Sequence, residues 1–537
     1  MSILRLLLAG AAVLVVTYGS GGQEDAIHRD EARELRWPPL LQIDSGPITG
    51  IDDDRCRVFL GIPYAAPPVG PLRWRPPAPV KPWQTVRNCT AFGPSCPQPA
   101  SRWCGGLGPV SEDCLYLNVF TPLGRVERAL PVLVWIHGGG NATGTASAGA
   151  YDARELARRG AVVVTINYRV GALGFLAHPL LSKESARGVS GNYGLLDQIA
   201  ALKWVQRNIV VFGGDPTRVT IFGESAGGMN VCRLMVCPAA KGLFQRAISQ
   251  SGAVHGRNRK LRQEFRGLQS AESLGEDIFK SLGCSGASDP LAAARRCSAD
   301  DVATVYPGAV GLFQGGTRYG PVIDGWLIPE DPVKLFAKGR QHRVPLIVGN
   351  NADEGTLFIK SVPLRNWVGF RTSVRIYFGE NTDAVLKVFP MSDDESVAQA
   401  RNELVTVAAF VVPSRFAARS MTKARSSAWL YQFSRVPPGL IETKMGAFHG
   451  LEIAYVFGHA SGRIFDSTDR ALSESIMDYW INFANTGNPN APYLPYWPAY
   501  DAVKDQYMDF IDRPRVKKGL YARQCDLLDR IPLPEER

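Results

Sequence analysis

Short runs of β-branched and large apolar residues recur along this chain with little polar alternation. They are Pro131–His137, Ala161–Asn167, Arg218–Phe222, Arg246–Ser249, Val344–Val348 and Ala428–Phe433. A strand with one wet face alternates apolar and polar side chains, so runs like these predict strands covered on both faces. Helical patterns lie between them, at Leu195–Ile209, Ala226–Met235 and Ser473–Ala484, the last stopped by Thr486-Gly487-Asn488-Pro489. Buried strands alternating with amphipathic helices imply an α/β fold, with a large mostly parallel sheet and helices on both faces. No Gly/Ser/Pro linker and no internal repeat divides the 537 residues, so one large domain with long insertions is expected. The largest insertions should lie around Gly256–Gly316 and Lys360–Arg425.

The N-terminus reads differently. Met1–Arg5 carries a positive charge, Leu6–Val16 is an unbroken apolar run, and Thr17–Gly22 is small and polar. These are the three regions of a secretory signal. The expected division is a signal peptide at 1–22, an extension at 23–42 and the α/β domain at 43–537, with the protein secreted or periplasmic. No other run approaches the roughly 18 apolar residues of a membrane span, so no integral membrane segment is expected once the signal is removed. The net charge of +10 is spread over the chain. Its densest stretches, Gly256–Arg266 and Arg513–Lys518, are short and interrupted, which argues against nucleic acid as a partner. Ten cysteines suit an oxidising compartment. Sequons stand at Asn88 and Asn141.

The chemistry centres on Thr220–Gly228, where a strand runs into Gly223-Glu224-Ser225-Ala226-Gly227 and directly onward into a helix. Only small residues fit beside the serine in so tight a turn, and the helix N-terminus favours developing negative charge. Ser225 is therefore the candidate nucleophile. It needs a base, and the base needs an orienting acid; in strand–Ser–helix arrangements of this kind the chain order is Ser, acid, His. Of the seven histidines, His449 and His459 lie far enough along. His449, in Gly446-Ala447-Phe448-His449-Gly450, is flanked by small residues as a loop histidine entering a cavity would be. His459 sits in a polar turn and is expected to face solvent. The strand at Val344–Val348 leads into Asn350-Asn351-Ala352-Asp353-Glu354-Gly355, whose two adjacent carboxylates, Asp353 and Glu354, chain order alone does not separate. His137-Gly138-Gly139-Gly140 ends another strand with backbone able to bring N–H groups to one point, and with the N–H of Ala226 these would hold an oxyanion. Neither a dinucleotide fingerprint nor a Gly-Lys-Ser/Thr phosphate loop is present. A glycan on Asn141 would crowd the glycine loop, so that sequon is read as fortuitous.

From about Ile43 to Pro532 the chain resembles the type-B carboxylesterases, the family that includes the cholinesterases. The resemblance rests on Phe59–Ala65, Ser111–Val119, the His137–Gly140 stretch, Asn192–Gln198, Phe212–Pro216, the Gly223–Gly228 turn, Asn350–Gly355 and Gly446–Gly458. It implies an α/β-hydrolase fold and a serine esterase with a small-molecule ester substrate and no metal or organic cofactor. By that resemblance the acid falls on Glu354, the base on His449, and the oxyanion donors on Gly139, Gly140 and Ala226. It also gives supporting roles to Glu224, near the leaving group, and Ser251, near the acid and the histidine. Family disulfides would fall on Cys96–Cys114 and Cys284–Cys297, the first worth on the order of 3 kcal/mol by loop closure. Cys56, Cys89, Cys104, Cys232, Cys237 and Cys525 receive no partner. The competing readings are a lipase or cholinesterase-like specificity, or a non-catalytic adhesion module. A lipase should expose a broad apolar lid, whereas the Cys96–Cys114 loop is short and polar. Adhesion modules of this fold tend to lose triad residues, and all three stand here.

The resemblance also bears on the acyl group. Trp103 falls near the place where cholinesterases stack a choline cation, although a packing role is the commoner one for such a tryptophan. Where the same enzymes wall the acyl pocket with phenylalanines, this chain has Gly315, Gly316 and Thr317, followed by Arg318 and Tyr319. Without that wall the pocket should take butyryl and hexanoyl groups at least as well as acetyl. At about 0.8 kcal/mol per buried methylene, kcat/KM should climb several-fold per two carbons until the pocket fills. A series of p-nitrophenyl esters from acetate to octanoate checks this, and a sharp maximum at acetate would mean that Phe313 or Tyr319 closes the pocket.

Overall fold

The computed structural model describes residues 40–99, 107–124, 128–256, 258–308, 317–359, 366–391, 393 and 396–531. The expected signal peptide, most of the extension, Trp103, Cys104, Phe313, Gly315 and Gly316 lie outside the described residues. The first described strand, Leu41–Ile43, begins two residues ahead of the boundary expected at 43, and pairs with Gly46–Thr49 in a three-stranded sheet completed by Arg87–Asn88.

Among the described residues, eleven strands form the main sheet. They are β1 (Ile51–Asp52), β2 (Cys56–Pro63), β3 (Tyr116–Pro122), β4 (Leu130–Ile136), β5 (Val162–Ile166) and β6 (Gly214–Glu224), then β7 (Arg246–Gln250), β8 (Leu346–Asn351), β9 (Ala428–Phe433), β10 (Gln506–Phe510) and β11 (Pro514–Lys518). Their spatial order is β11-β10-β9-β8-β7-β6-β4-β5-β3-β2-β1. The seven strands from β5 to β10 are parallel, and antiparallel pairs close both edges. This is the α/β-hydrolase arrangement, covered by helices including α1 (Tyr193–Asn208), α2 (Ala226–Leu234), α3 (Glu354–Ile359) and α4 (Ser467–Thr486).

The missing polar alternation has its reason here, because each central strand feeds two cores. Val132, Val134 and Ile136 of β4 join one apolar layer, and Leu133 and Trp135 the other. In β8, Leu346 and Val348 face the first layer and Ile347 the second. Every such side chain is fully buried, and each contributes about 1.5–3 kcal/mol over an exposed position. The second layer is largely aromatic: Trp135 packs on Phe222 and Phe457 with ring centroids 4.8 and 5.0 Å apart.

The first expected insertion carries three short helices, Ala271–Ser281, Pro290–Arg296 and Ala299–Thr304, and the second is largely helical among its described residues. The second contains Ser396–Lys423, a 28-residue helix long and apolar enough to cross a bilayer by composition, but two-thirds buried inside the protein over its most apolar window. Within it, Val407–Val411 makes a π-helical turn. Such turns widen a helix locally and often lie at functional sites.

Behind the loop that follows β4, a buried ion pair fixes the frame. Arg169 reaches Asp197 of α1 through Nε at 2.8 Å and Nη2 at 2.7 Å, both side chains nearly inaccessible to solvent. The neighbouring Tyr168 donates its hydroxyl to the His137 carbonyl at 2.8 Å and stacks on the His137 ring. Asp197→Ala leaves the Arg169 charge buried and unpaired, and should destabilise the fold by about 3–5 kcal/mol in urea unfolding. A change under about 1 kcal/mol, the range of an exposed pair, would contradict that account.

Candidate active site

Strands β4, β6, β7 and β8 are parallel neighbours in register, and each ends at a residue singled out from the sequence. Ile136 of β4 pairs with Gly223 of β6, Gly223 with Ser249 of β7, and Ser249 with Val348 of β8. Their carboxyl ends therefore deliver the glycine loop, Ser225, Ser251 and the Asp353–Glu354 pair to one edge, where α/β proteins carry their sites.

Ser225 occupies the turn between β6 and α2 with φ 56° and ψ −124°, a left-handed conformation rare for a non-glycine residue. Strain of this kind costs on the order of 1–3 kcal/mol and persists only where surroundings impose it. Its N–H donates to the Gln250 carbonyl at 2.9 Å. A Cβ on Gly227 would lie 2.0 Å from the Ile136 carbonyl oxygen, and one on Gly223 2.6 Å from the same atom. The start of α2 thus packs backbone against backbone on the end of β4, which is why neither position admits a side chain. On the other side, a Cβ on Gly138 would meet the Glu224 carboxylate at 2.9 Å and the Ser225 Cβ at 3.2 Å, so the glycine loop rests directly on the serine turn. Gly139 and Gly140 both have positive φ. Ala226 opens α2, where the first N–H groups lack intrahelical acceptors. Asn141 is buried and accepts from Asn230 Nδ2 at 2.8 Å, which leaves no room for a glycan at that sequon.

His449 is buried among carboxylates. Its Nδ1 lies 2.5 Å from Glu354 Oε2, and its Nε2 lies 3.1 Å from Glu224 Oε1, close enough for attraction although not aligned as a hydrogen bond. Glu354 is itself held, its Oε1 accepting from the Asn351 N–H at 2.7 Å. Phe358 and Phe410, the latter from the π-helical turn, pack on the imidazole at 4.9 and 5.2 Å. Asp353 points elsewhere: its oxygens accept from the Ala447 N–H and from Asn402 Nδ2, each at 2.9 Å.

A third buried carboxylate, Glu452, carries no role in the sequence reading. It accepts from Asn351 Nδ2 at 2.6 Å and Gln250 Nε2 at 3.2 Å, and Gln250 in turn accepts from Trp480 Nε1. Its signal was a lone acid in the apolar run Leu451–Phe457. Burial raises the pKa of both Glu224 and Glu452, and the nearby Glu354 charge adds to the rise. For His449 burial works downward, but the Glu224 and Glu354 carboxylates, with Glu452 behind, outweigh it and push the imidazole up to about 9.

Other expectations fare differently. The Ser251 hydroxyl is buried and meets no hydrogen-bond partner among the described residues, so a supporting role has no visible bond behind it. His459 is turned inward, its Nε2 2.9 Å from the Asp152 carbonyl oxygen, instead of facing solvent. Cys96 and Cys114 are joined in a disulfide. The expected Cys284–Cys297 bridge is absent. The two sulfurs meet at 3.5 Å as thiols, with the Leu282 and Ala293 carbonyls accepting from them. Cys56, Cys89, Cys232, Cys237 and Cys525 are buried and unbridged.

A family model for the carboxylesterase family matches residues 38–528. The fumonisin B1 esterase of Sphingopyxis macrogoltabida is 38% identical over 512 residues, covering 92% of this chain and 89% of that one. The para-nitrobenzyl esterase of Bacillus subtilis is 38% identical over 485 residues, covering 86% and 92%. The pyrethroid hydrolase Ces2e of Rattus norvegicus is 34% identical over 524 residues, covering 90% and 88%.

The electrostatics give a signed prediction. A general base must be neutral, so kcat/KM should rise with pH through the His449 pKa. Glu224→Gln removes one of the carboxylates that favour the imidazolium, so the acid limb of the profile should move to lower pH. An unmoved or upward-shifted limb would show that Glu224 does not act on His449.

Proposed function

The chain belongs to the carboxylesterase family and is a carboxylic ester hydrolase; from that premise we propose that it transfers the acyl group to water through Ser225, His449 and Glu354. The observation that carries this is the Glu354–His449 contact beside the strained serine turn. His449 takes the proton of Ser225 as the hydroxyl oxygen attacks the ester carbonyl, while Glu354 holds the tautomer and favours the imidazolium. The N–H groups of Gly139, Gly140 and Ala226 stabilise the tetrahedral oxyanion. The alcohol leaves with a proton from His449, in the neighbourhood of Glu224. Water then releases the acid by the same steps in reverse order. The single domain at 43–537, exported by the leader at 1–22, belongs to the same proposal. A disulfide in the loop Cys96–Cys114 supports an oxidising compartment.

The test is Ser225→Ala with p-nitrophenyl butyrate and an active-site phosphonate. By analogy with serine proteases, turnover should fall about a millionfold with the fold intact, and phosphonate labelling should vanish. A variant keeping a tenth of the activity would remove Ser225 from the mechanism. A wild-type protein that takes up no phosphonate would favour the adhesion module.

A further inference from the structure

We propose that Asp353 is a positioning residue: it ties the loop carrying His449 to the loop carrying Glu354, and so sets where the imidazole stands. The proposal rests on reading those two residues as base and acid.

The loop of residues 444–450 has no regular structure to hold it. Lys444, Gly446 and Gly450 all take left-handed backbone conformations, with φ of 54°, 63° and 83°. Its geometry must come from contacts. Asp353 supplies two of these on one residue of the loop. Its Oδ2 accepts the Ala447 N–H at 2.9 Å, and its own N–H donates to the Ala447 carbonyl at 3.0 Å. The other carboxylate oxygen accepts from Asn402 Nδ2 at 2.9 Å, anchoring the pair to the helix Ser396–Thr406. The Thr356 hydroxyl lies 2.8 Å from both the Asp353 and the Met445 carbonyl oxygens, backing the same junction.

Two features make the tie more than incidental packing. Ala447 is fully buried, so its N–H has no water to turn to if the carboxylate is removed. Gly446 fits only because it lacks a side chain: a Cβ there would lie 2.2 Å from Asp353 Oδ2. His449 follows two residues after Ala447, and its contact with Glu354 is short and directional. A displacement of about 1 Å at such a pair can cost roughly a hundredfold in rate. Asp353 itself makes no contact with His449, so its influence runs through the loop.

The experiment measures kcat and KM separately, with p-nitrophenyl butyrate, for Asp353→Ala, Asp353→Asn, Gly446→Ala and Glu354→Gln, alongside thermal unfolding. Asp353→Ala should lower kcat by roughly a hundredfold with KM little changed. Asp353→Asn should recover most of that loss, because an amide oxygen still accepts from Ala447 and the Asn402 amide can turn to accept from the new N–H. Gly446→Ala should resemble Asp353→Ala although every charge is intact. The proposal is overturned if Asp353→Ala keeps wild-type kcat while Glu354→Gln loses it. It is also overturned if Asp353→Asn is as impaired as Asp353→Ala while Gly446→Ala stays active. Should Asp353→Ala fail to fold, the Asp353→Asn and Gly446→Ala pair decides by the same criteria. A different outcome, Glu354→Gln active and Asp353→Asn inactive, would instead make Asp353 the orienting acid and remove the reading on which the proposal stands.

Discussion

Where helix α2 leaves strand β6, its first turn touches the end of β4 with no side chain between the two backbones. Gly223 and Gly227 both face the Ile136 carbonyl oxygen at distances a Cβ could not share. That contact fixes the height at which Ser225 is presented and forces its left-handed conformation. It also brings the residues after Ile136 against the serine turn, where a Cβ on Gly138 would meet Ser225. The parallel register of β7 and β8 then sets the distance at which the remaining side chains arrive. A wider crossing at this one point would separate the glycine loop from the serine turn, whatever the rest of the sheet did.

Against that rigid edge stands an electrostatic problem. Three glutamates, Glu224, Glu354 and Glu452, are buried around one imidazole. Like charges at such range cannot all remain ionised in a poor solvent. The molecule divides them by environment. Glu354 accepts a backbone N–H and meets the imidazole. Glu452 receives two amide donors, and Glu224 a bare contact with His449, and burial raises the pKa of both. The rings of Phe358 and Phe410 pack tilted against the same imidazole. One carboxylate thereby serves the imidazole directly while the others adjust its basicity.

Much of this was legible in the chain because it is encoded locally. The buried strands announced themselves by lacking alternation, since each serves two cores. The serine turn did so by its glycines and by the strand and helix that flank it. The structure brings His449 to Glu354, and leaves His459 on a backbone carbonyl. What local pattern could not supply is convergence. Glu452 acquires meaning only when Asn351 and Gln250 arrive from other strands. The π-helical turn that carries Phe410 looks in sequence like any apolar helix. The Cys284–Cys297 bridge that the resemblance implied is not formed, although the two sulfurs stand 3.5 Å apart. Each thiol instead lies against a backbone carbonyl.

The adjacent acids Asp353 and Glu354 show how one strand end can do two jobs. Asp353 is the last residue before α3, and Glu354 the first within it. At that switch from extended to helical backbone, successive side chains diverge. Glu354 meets the imidazole, while Asp353 turns to Ala447 of the loop that carries it and to Asn402. Sequence offered two adjacent carboxylates of like chemistry, Glu354 one methylene longer than Asp353, without the direction each takes. Direction here is a property of the strand-to-helix junction, with Glu354 the first helical residue. The boundary between β8 and α3 therefore decides which carboxylate reaches His449, and composition at that point does not.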